Sequence, residues 1–183
     1  MRILVTFGSA RGGTEGLAQM VADGLRDEGF TVDLLSPDHV RRVGYDAVIV
    51  GGALYAARWH KAARRFVRRY TTDLKQRPVY FFSSGPLDDS ATHREIPPVR
   101  GVKALMERVG ARGHVTFGGR LLADAKGFPA GAMAKKRAGD WRDAMQVRMW
   151  TRSVAAQLRA GDPVMNQHAH CPVVVVHGEK ALD

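Results

Sequence analysis

The sequence predicts an α/β protein in which helices cover both faces of a doubly wound, five-stranded parallel sheet. Five short apolar segments rich in β-branched and aromatic residues alternate with segments whose apolar residues recur at helical spacing. Several of these segments lack polar alternation, which indicates strands buried on both faces, as in parallel sheets. Because crossovers are right-handed, a doubly wound sheet is the simplest arrangement. Its ligand site is expected beyond the carboxyl ends of the strands.

The elements follow one another in the order that this class requires. Residues 2–7 form the first strand. A helix then runs from Thr14 to about Glu28, where Gly29 ends it. Four more strands are expected, at 31–35, 45–52, 78–84 and 114–119. Further helices are expected at 60–70, at 102–109, and after an Asp140 cap with the apolar members Trp141, Val147, Trp150, Val154 and Leu158.

The chain of 183 residues suits one compact domain, here residues 1–160. Residues 120–139 form a long insert between the fifth strand and the last helix. Residues 161–183 form a C-terminal tail, in which 172–176 is either an edge strand or a partner contact.

Charge and cysteine content narrow the function classes. The formal net charge of +10 favours anionic partners, among them nucleic acid, an acidic membrane face and a multi-carboxylate substrate. The single cysteine, Cys171, excludes an internal disulfide and suggests a reducing compartment. No secretory signal or membrane span is recognisable, so we expect a cytoplasmic protein, with peripheral membrane contact left open.

The loop "GSARGGT" after the first strand has the composition of a phosphate-binding loop. No lysine stands between Gly13 and Thr14, which disfavours the nucleotide P-loop. Arg11 occupies the place of the first glycine in the dinucleotide motif. What remains is a hydroxyl-rich cradle for one phosphate at a helix N-terminus. The alternative is an ordinary strand–helix turn in which Thr14 is the N-cap.

The stretch Ser9-Ala10-Arg11-Gly12-Gly13-Thr14 fits the T/S-x-x-G-x-T loop of the flavodoxin superfamily, which the chain resembles over about residues 2–160. The first position is Ser rather than the commoner Thr. More narrowly, the chain is similar to flavodoxin-domain proteins of the menaquinone-dependent protoporphyrinogen oxidase type. The shared features are Gly51-Gly52, Trp59-His60 and a basic insert before the last helix.

The resemblance implies a flavodoxin-like fold and an FMN cofactor, with a deazaflavin as the alternative. It implies that the phosphate is held by Ser9, Ala10, Arg11, Gly12, Gly13 and Thr14. It further implies that two later loops clasp the flavin ring through Ala53, Leu54, Tyr55, Trp59, Ser83, Ser84, Gly85, Pro86 and Leu87. The alternatives are that Tyr55 or Trp59 simply packs at a helix start, and that residues 83–87 form a plain turn.

No catalytic side chain is evident apart from the candidate His60, a possible proton carrier near the flavin. The alternative is a helix-start residue with a structural hydrogen bond. The "HAHC" stretch lacks a second ligand cluster and zinc-like spacing, so we expect no metal site.

Two basic features could meet an anionic partner. One is a stripe on the second helix, formed by Lys61, Arg64, Arg65, Arg68 and Arg69. The other is the insert, with substrate or partner candidates Lys126, Lys135, Lys136 and Arg137. The insert could clamp porphyrin carboxylates or touch anionic lipid, and the alternative is a solvated loop.

Three functions compete. The first is an FMN-dependent oxidoreductase that oxidises protoporphyrinogen IX or a similar anionic substrate and passes electrons to a quinone. The second is a flavodoxin-type electron carrier without its own substrate, which the positive charge disfavours. The third is a flavin-free or nucleic-acid binder, which lacks support from an aromatic platform or a recognised motif. The oligomeric state is left open.

Overall fold

Five parallel strands form the central sheet of the computed structural model, which describes residues 1–9, 12–122 and 138–161. They are β1 (Arg2–Gly8), β2 (Thr31–Leu35), β3 (Ala47–Tyr55), β5 (Val79–Ser84) and β6 (Gly113–Phe117), in the spatial order β2-β1-β3-β5-β6. The short β4 (Arg58–Trp59) folds back antiparallel on the end of β3. A separate antiparallel ribbon pairs β7 (Arg120–Leu121) with β8 (Gly139–Asp140). The predicted doubly wound parallel sheet is confirmed.

Helices connect the strands in the predicted alternation. Their bounds are α1 (Gly13–Asp27), α2 (Lys61–Arg69), α3 (Thr71–Leu74), α4 (Ser90–His93), α5 (Arg100–Val109) and α6 (Ala144–Ala160), with a 3-10 turn at Pro37–His39. The apolar stripe predicted for α2 is buried at Ala63, Phe66, Val67 and Tyr70.

Side chains of each central strand point alternately to two separate cores. We call the side covered by α1 and α6 the α1 face, and the side covered by α2 and α5 the α2 face. On β1, Ile3 and Val5 enter the α1 face, whereas Leu4 enters the α2 face. On β5, Phe82 enters the α1 face and Phe81 the α2 face. Burial on both sides explains why these strands show no polar alternation.

The last helix begins three residues later than the sequence suggests. The N-cap of α6 is Asp143, whose carboxylate accepts hydrogen bonds from the amides of Met145 and Gln146. The expected cap, Asp140, lies in β8 instead and binds the side chain of Arg142. The ribbon thus extends through Asp140, whose carboxylate accepts from the Arg142 amide before the helix begins, and Asp143 is the residue that caps the helix start.

The expected insert is closed at its base by the β7–β8 ribbon. Residues 123–137 between these two strands lie outside the described residues, as do residues 162–183 of the expected tail. The candidate substrate residues Lys126, Lys135, Lys136 and Arg137 are therefore outside the described part of the chain.

Candidate functional site

The carboxyl ends of the three central strands lie side by side at one edge of the sheet. In the strand register Gly8 of β1 is beside Gly52 of β3, and Ala53 of β3 is beside Ser84 of β5. From β1 the chain first moves outward to β2 and later returns to β3 on the other side. This edge between β1 and β3 is therefore the topological switch point, where doubly wound sheets bind their ligands.

The loop after β1 leads into α1 without a side-chain cap. Gly12 is the N-cap, with φ of 74°, a left-handed conformation that glycine adopts without strain. Gly12 O accepts from the Gly16 amide at 3.1 Å, and the N-cap residue, being glycine, has no side chain that could bond the helix start. Thr14 lies buried in the first turn, so the reading of Thr14 as N-cap is wrong. The first turn of α1 thus offers amide donors and a positive dipole end to an anion.

Glycines at the phosphate loop allow other elements to approach its backbone. A Cβ on Gly8 would lie 2.7 Å from the amide nitrogen of Ala63 in α2. A Cβ on Gly13 would lie 3.0 Å from the carbonyl oxygen of Arg120 in β7. The end of β1 therefore packs against α2, and the start of α1 packs against the β7–β8 ribbon. Ala10 and Arg11 lie outside the described residues.

The second loop is a tight hairpin between β3 and β4. Tyr55 pairs with Arg58 across two residues of positive φ, Ala56 at 46° and Ala57 at 58°. Two-residue turns of this kind normally carry Asn-Gly, because residues with a Cβ are strained there. Such strain is concentrated at functional sites. The hairpin leaves the Tyr55 side chain 37% exposed at the edge of the sheet.

Trp59 points inward from this hairpin rather than towards solvent. Its indole is 2% exposed and lies on the α2 face, with its ring centroid 4.8 Å from that of Phe81. A Cβ on Gly52 would lie 2.7 Å from the indole, so glycine makes room for the ring. Of the two readings of Trp59, packing at the helix start is the one that this burial supports.

A buried hydrogen-bonded chain links three strands behind the hairpin. The indole Nε1–H of Trp59 donates to Ser83 Oγ at 2.8 Å, and Ser83 Oγ lies 2.9 Å from His114 Nε2. Because Ser83 accepts from the indole, we assign its own proton to the bond with His114, whose Nε2 is then unprotonated. Burial lowers the pKa of His114 to about 4, which keeps the ring neutral.

This network changes the assignment of the predicted ring contacts. The hydroxyl of Ser83 is buried and bonded within the protein, and Ser84 is also buried. Of the two predicted aromatic residues, Tyr55 is the one that lies at the surface. Sequence reasoning missed His114, which begins an apolar strand and lies 31 positions from its partner Ser83.

The third loop is tied to the segment that follows β6. The Gly85 amide donates to Phe117 O at 3.0 Å, and the Gly119 amide donates to Pro86 O at 2.8 Å. A Cβ on Gly85 would lie 3.3 Å from Leu54 Cδ1, so the second and third loops are in contact. The predicted loop residues 53–55 and 85–87 are therefore brought together at one edge.

His60 is the N-cap of α2. Its Nδ1 accepts from the amide of Ala62 at 3.4 Å, which leaves the proton on Nε2. Burial, followed by the charges of Lys61 and Arg64, lowers the pKa of His60, so the ring is neutral at pH 7. These contacts give His60 the structural hydrogen bond that was the alternative to catalysis. Its ring also lies edge-on to Tyr55, with centroids 6.2 Å apart.

The β7–β8 ribbon places two further arginines beside the phosphate loop. Arg142 Nε donates to Asp140 Oδ1 at 2.7 Å, and Arg120 Nε lies 3.8 Å from Asp140 Oδ2. The hydrogen bond from Arg142 is the main cause of the lowered pKa of Asp140. A side chain on Gly16 in the first turn of α1 would collide with the Arg142 guanidinium. Sequence reasoning missed this anchoring of the insert base on α1.

Two further searches cover the described residues only. Across 1–9, 12–122 and 138–161, no group of three or more His, Cys, Asp or Glu side chains could hold a metal ion. His168, His170 and Cys171 lie beyond these ranges. Within the same ranges, the helices are too short or too polar to cross a bilayer.

Comparison with known sequences connects this geometry to a family. Residues 4–138 match the model of the flavodoxin domain. A protein of Escherichia coli (strain K12) named protoporphyrinogen IX dehydrogenase [quinone] is 27% identical over 86 residues. That alignment covers 45% of this chain and 48% of the relative. An uncharacterised protein of Methanocaldococcus jannaschii is 26% identical over 83 residues, covering 45% of this chain and 54% of that protein. The chain thus spans about half the length of the curated relatives it matches.

Solved structures share the fold at low sequence identity. A flavodoxin from the domain Archaea superposes with a TM-score of 0.59 at 13% identity, covering 87% of this chain and 99% of that chain. The rubredoxin oxygen:oxidoreductase of Desulfovibrio gigas superposes with a TM-score of 0.60 at 17% identity, covering 87% of this chain and 36% of that chain. These likenesses concern the fold alone.

Proposed function

The chain belongs to the flavodoxin domain family, and on that basis we propose that it is an FMN-dependent oxidoreductase. Its proposed substrate is protoporphyrinogen IX or a similar anionic molecule, and the proposed electron acceptor is a quinone. The named E. coli relative supports this choice of substrate and acceptor. The observation that carries the proposal is the α1 start without a side-chain cap, placed at the switch point beside the exposed Tyr55.

The residues present fit FMN in kind and position. The phosphate would be held by Ser9, by the backbone from Ala10 to Gly13, and by the first turn of α1 at Thr14. The ring would be bound between the hairpin loop (53–55) and the turn at Gly85–Leu87, beside the exposed Tyr55 ring. When bound, FMN supplies the redox chemistry, taking up electrons from the substrate and passing them on.

The residues of the protein would position the bound FMN and shield it from water. Gly12 leaves the helix start free of a competing side chain. The chain Trp59–Ser83–His114 holds the hairpin on the sheet, so that Tyr55 is presented at a fixed place. His60 stays neutral and keeps its Nε2 proton, which makes it a hydrogen-bond donor rather than an acid at pH 7.

The substrate and membrane contacts are assigned to cationic residues. Lys126, Lys135, Lys136 and Arg137 of the insert are the proposed partners of substrate carboxylates or of anionic lipid. Their segment begins and ends at the β7–β8 ribbon, which packs against the phosphate loop at Gly13. This placement connects both ends of the insert to the proposed cofactor site.

A first experiment tests cofactor and reaction together. We expect the purified protein to be yellow, to keep its flavin through gel filtration, and to release FMN identified by mass. We also expect it to oxidise protoporphyrinogen anaerobically with a soluble quinone analogue. Rapid reduction by a flavodoxin reductase without such turnover would instead support an electron carrier. Tight, salt-sensitive DNA binding by flavin-free protein would contradict both redox functions.

A matched pair of variants tests the phosphate position. Gly12→Asp places a carboxylate at the N-cap, whereas Gly12→Asn places a neutral side chain of the same shape there. If the FMN phosphate binds at this helix start, the aspartate should weaken FMN much more than the asparagine does. The two variants should bind riboflavin, which lacks the phosphate, about equally. Equal FMN affinity of both variants by titration would contradict the placement.

A further inference from the structure

The stripe of five cations on α2 has no acidic partner among the residues that the structure describes. Lys61, Arg64, Arg65, Arg68 and Arg69 line one shallow surface groove of about 500 Å³. None of the ion pairs within the described ranges involves α2, and the sequence holds no acid between Asp46 and Asp73. The helix is only about 14 Å long, so these charges repel one another at i,i+3 and i,i+4 spacing.

A buried donor in the same groove lacks an acceptor. Arg64 Nε is shielded from solvent and makes no hydrogen bond to any described residue. Buried donors without acceptors are costly and rare in native proteins. Arg64 lines the groove together with four exposed cations, so this donor lies at the floor of the cationic surface. This points to a ligand independently of the net charge.

The groove and its surroundings distinguish between possible anions. Its lining is entirely cationic, without the central apolar or aromatic anchors that bind a protein partner. It also has no aromatic platform for nucleic-acid bases. Beside it, the exposed hairpin tip carries Tyr55, Ala56, Ala57 and Arg58. An exposed tyrosine next to clustered arginines suits the interface of an anionic bilayer, where the ring lies at headgroup level.

We propose that the α2 groove, together with the Tyr55 hairpin, docks the protein on anionic phospholipid headgroups. Guanidinium groups bind phosphate oxygens in pairs, and removal of the mutual repulsion adds to the gain. The inference rests on the proposed function, because a quinone acceptor resides in a membrane. When α2 docks on the membrane, the Tyr55 hairpin beside the proposed cofactor site also reaches the bilayer surface.

Vesicle flotation with the full chain tests the docking surface. The probes are vesicles of phosphatidylcholine with one quarter phosphatidylglycerol, and vesicles of pure phosphatidylcholine. The test variant is Arg65→Gln/Arg68→Gln, and the matched control is Arg148→Gln/Arg152→Gln on α6. Both variants remove two exposed arginines and have the same net charge.

We expect the unchanged protein to bind the anionic vesicles only. The α2 variant should lower the partition coefficient about 30-fold, since each basic residue near the surface contributes about 1 kcal/mol. The α6 control should change it less than about threefold. Equal losses in both variants, absent binding to anionic vesicles, or tighter binding to duplex DNA than to vesicles would each overturn the inference.

The flavin spectrum of each variant separates this inference from the proposed function. A protein that floats with anionic vesicles through α2 but takes up no FMN would contradict the function and leave the surface assignment intact. A yellow, active protein that ignores the vesicles would do the reverse. Circular dichroism of both variants checks that they are folded.

Discussion

Arginines on the two faces of the sheet are used in opposite ways. On the α1 face, Arg26 pairs with Asp23 at 2.7 Å, and Arg159 pairs with Glu28 at 3.0 Å. On the α2 face, the five cations of α2 have no acidic partner within the described residues. The first of the two pairs on the α1 face lies within α1, and the second joins the end of α1 to α6. The charges on α2 oppose the helix that carries them, which is expected of a surface selected for binding.

The polar contacts beneath these helices differ too. The α2 face contains the chain Trp59–Ser83–His114, whose Trp59–Ser83 bond is buried and whose Ser83–His114 bond is partly buried. The α1 face is lined mainly by apolar side chains, with one part-buried bond from the Tyr80 hydroxyl to Gln157 Oε1 at 3.2 Å. On this face Trp150 lies partly exposed near Phe82 and Phe117, whereas Trp59 on the α2 face is buried. Four experiments test this contrast, in order of expected effect.

Replacement of the two tryptophans should show the largest difference. Trp59→Ala empties a fully enclosed site and leaves the Ser83 hydroxyl without its donor, so we expect a loss of about 3–5 kcal/mol in unfolding free energy. Trp150→Ala on the α1 face removes a partly exposed ring and should cost about 1–3 kcal/mol. Urea denaturation followed by circular dichroism measures both. Similar losses of unfolding free energy at the two sites would mean that Trp59 stabilises the core no more than Trp150 does.

Loss of the central hydroxyl should have the next largest effect. Ser83→Ala leaves the Trp59 indole N–H and the His114 ring without their partner, at a cost of about 1–3 kcal/mol. Ser153→Ala on α6 removes a hydroxyl that accepts from Gln157 at the exposed surface and should stay within about 0.5 kcal/mol. A red-shifted Trp59 fluorescence in Ser83→Ala would accompany the loss. An unchanged unfolding midpoint would show that the hydroxyl is unimportant.

The same chain predicts a pH dependence of stability. The folded pKa of His114 is about 4, below its ordinary value of 6.5, so the unfolded chain binds the proton more readily. Stability from this group is therefore full above about pH 6.5, falls as the pH drops towards 4, and is constant below that. The slope is at most about 1.4 kcal/mol per pH unit for one proton.

The variant His114→Gln separates this histidine from other titrating groups. Glutamine can still accept from Ser83 but does not titrate, so the variant should lose stability less steeply between pH 6.5 and 4 than the unchanged protein. Melting temperatures at several pH values give the two slopes. Parallel slopes would assign the acid sensitivity to other residues.

The smallest expected changes in unfolding free energy have opposite signs on the α1 face and the α2 face of the sheet. Arg65→Gln removes like-charge repulsion with Lys61 and Arg69, so we expect a gain of about 0.4–1 kcal/mol. Arg159→Gln breaks the pair with Glu28 and should cost up to about 1 kcal/mol. Added salt should shrink both differences, because both are screened surface effects. Destabilisation by Arg65→Gln would show that its charge supports the fold.

The fold follows from features that the sequence displays directly. Short segments rich in apolar and β-branched residues predicted all five parallel strands, and β2 has the predicted bounds of 31–35. The spacing of Ala63, Phe66 and Val67 predicted the buried side of α2, and these residues are buried. Periodicity works here because each element has a whole face covered by one neighbouring layer.

The site is less predictable because its orientation depends on single turns. The direction of Trp59 is set by the two-residue turn at Ala56-Ala57, and no glycine or asparagine marks that turn. The bond between Ser83 and His114 joins β5 and β6. The two residues are 31 positions apart in the sequence, so no local pattern predicts their contact. Whether Asp140 or Asp143 is the N-cap of α6 depends on where β8 ends. The amino-acid composition does not show where that strand ends.

The β7–β8 ribbon has an evolutionary consequence. Its two strands fix Arg120 beside Asp140, so the ends of the segment between them meet whatever its length. The entropic cost of closing such a segment grows only slowly as it lengthens. The ribbon therefore allows segments of different length and sequence to connect its two strands. A lineage, or a protein engineer, can exchange the segment between the two strands while the sheet and the loop after β1 stay the same.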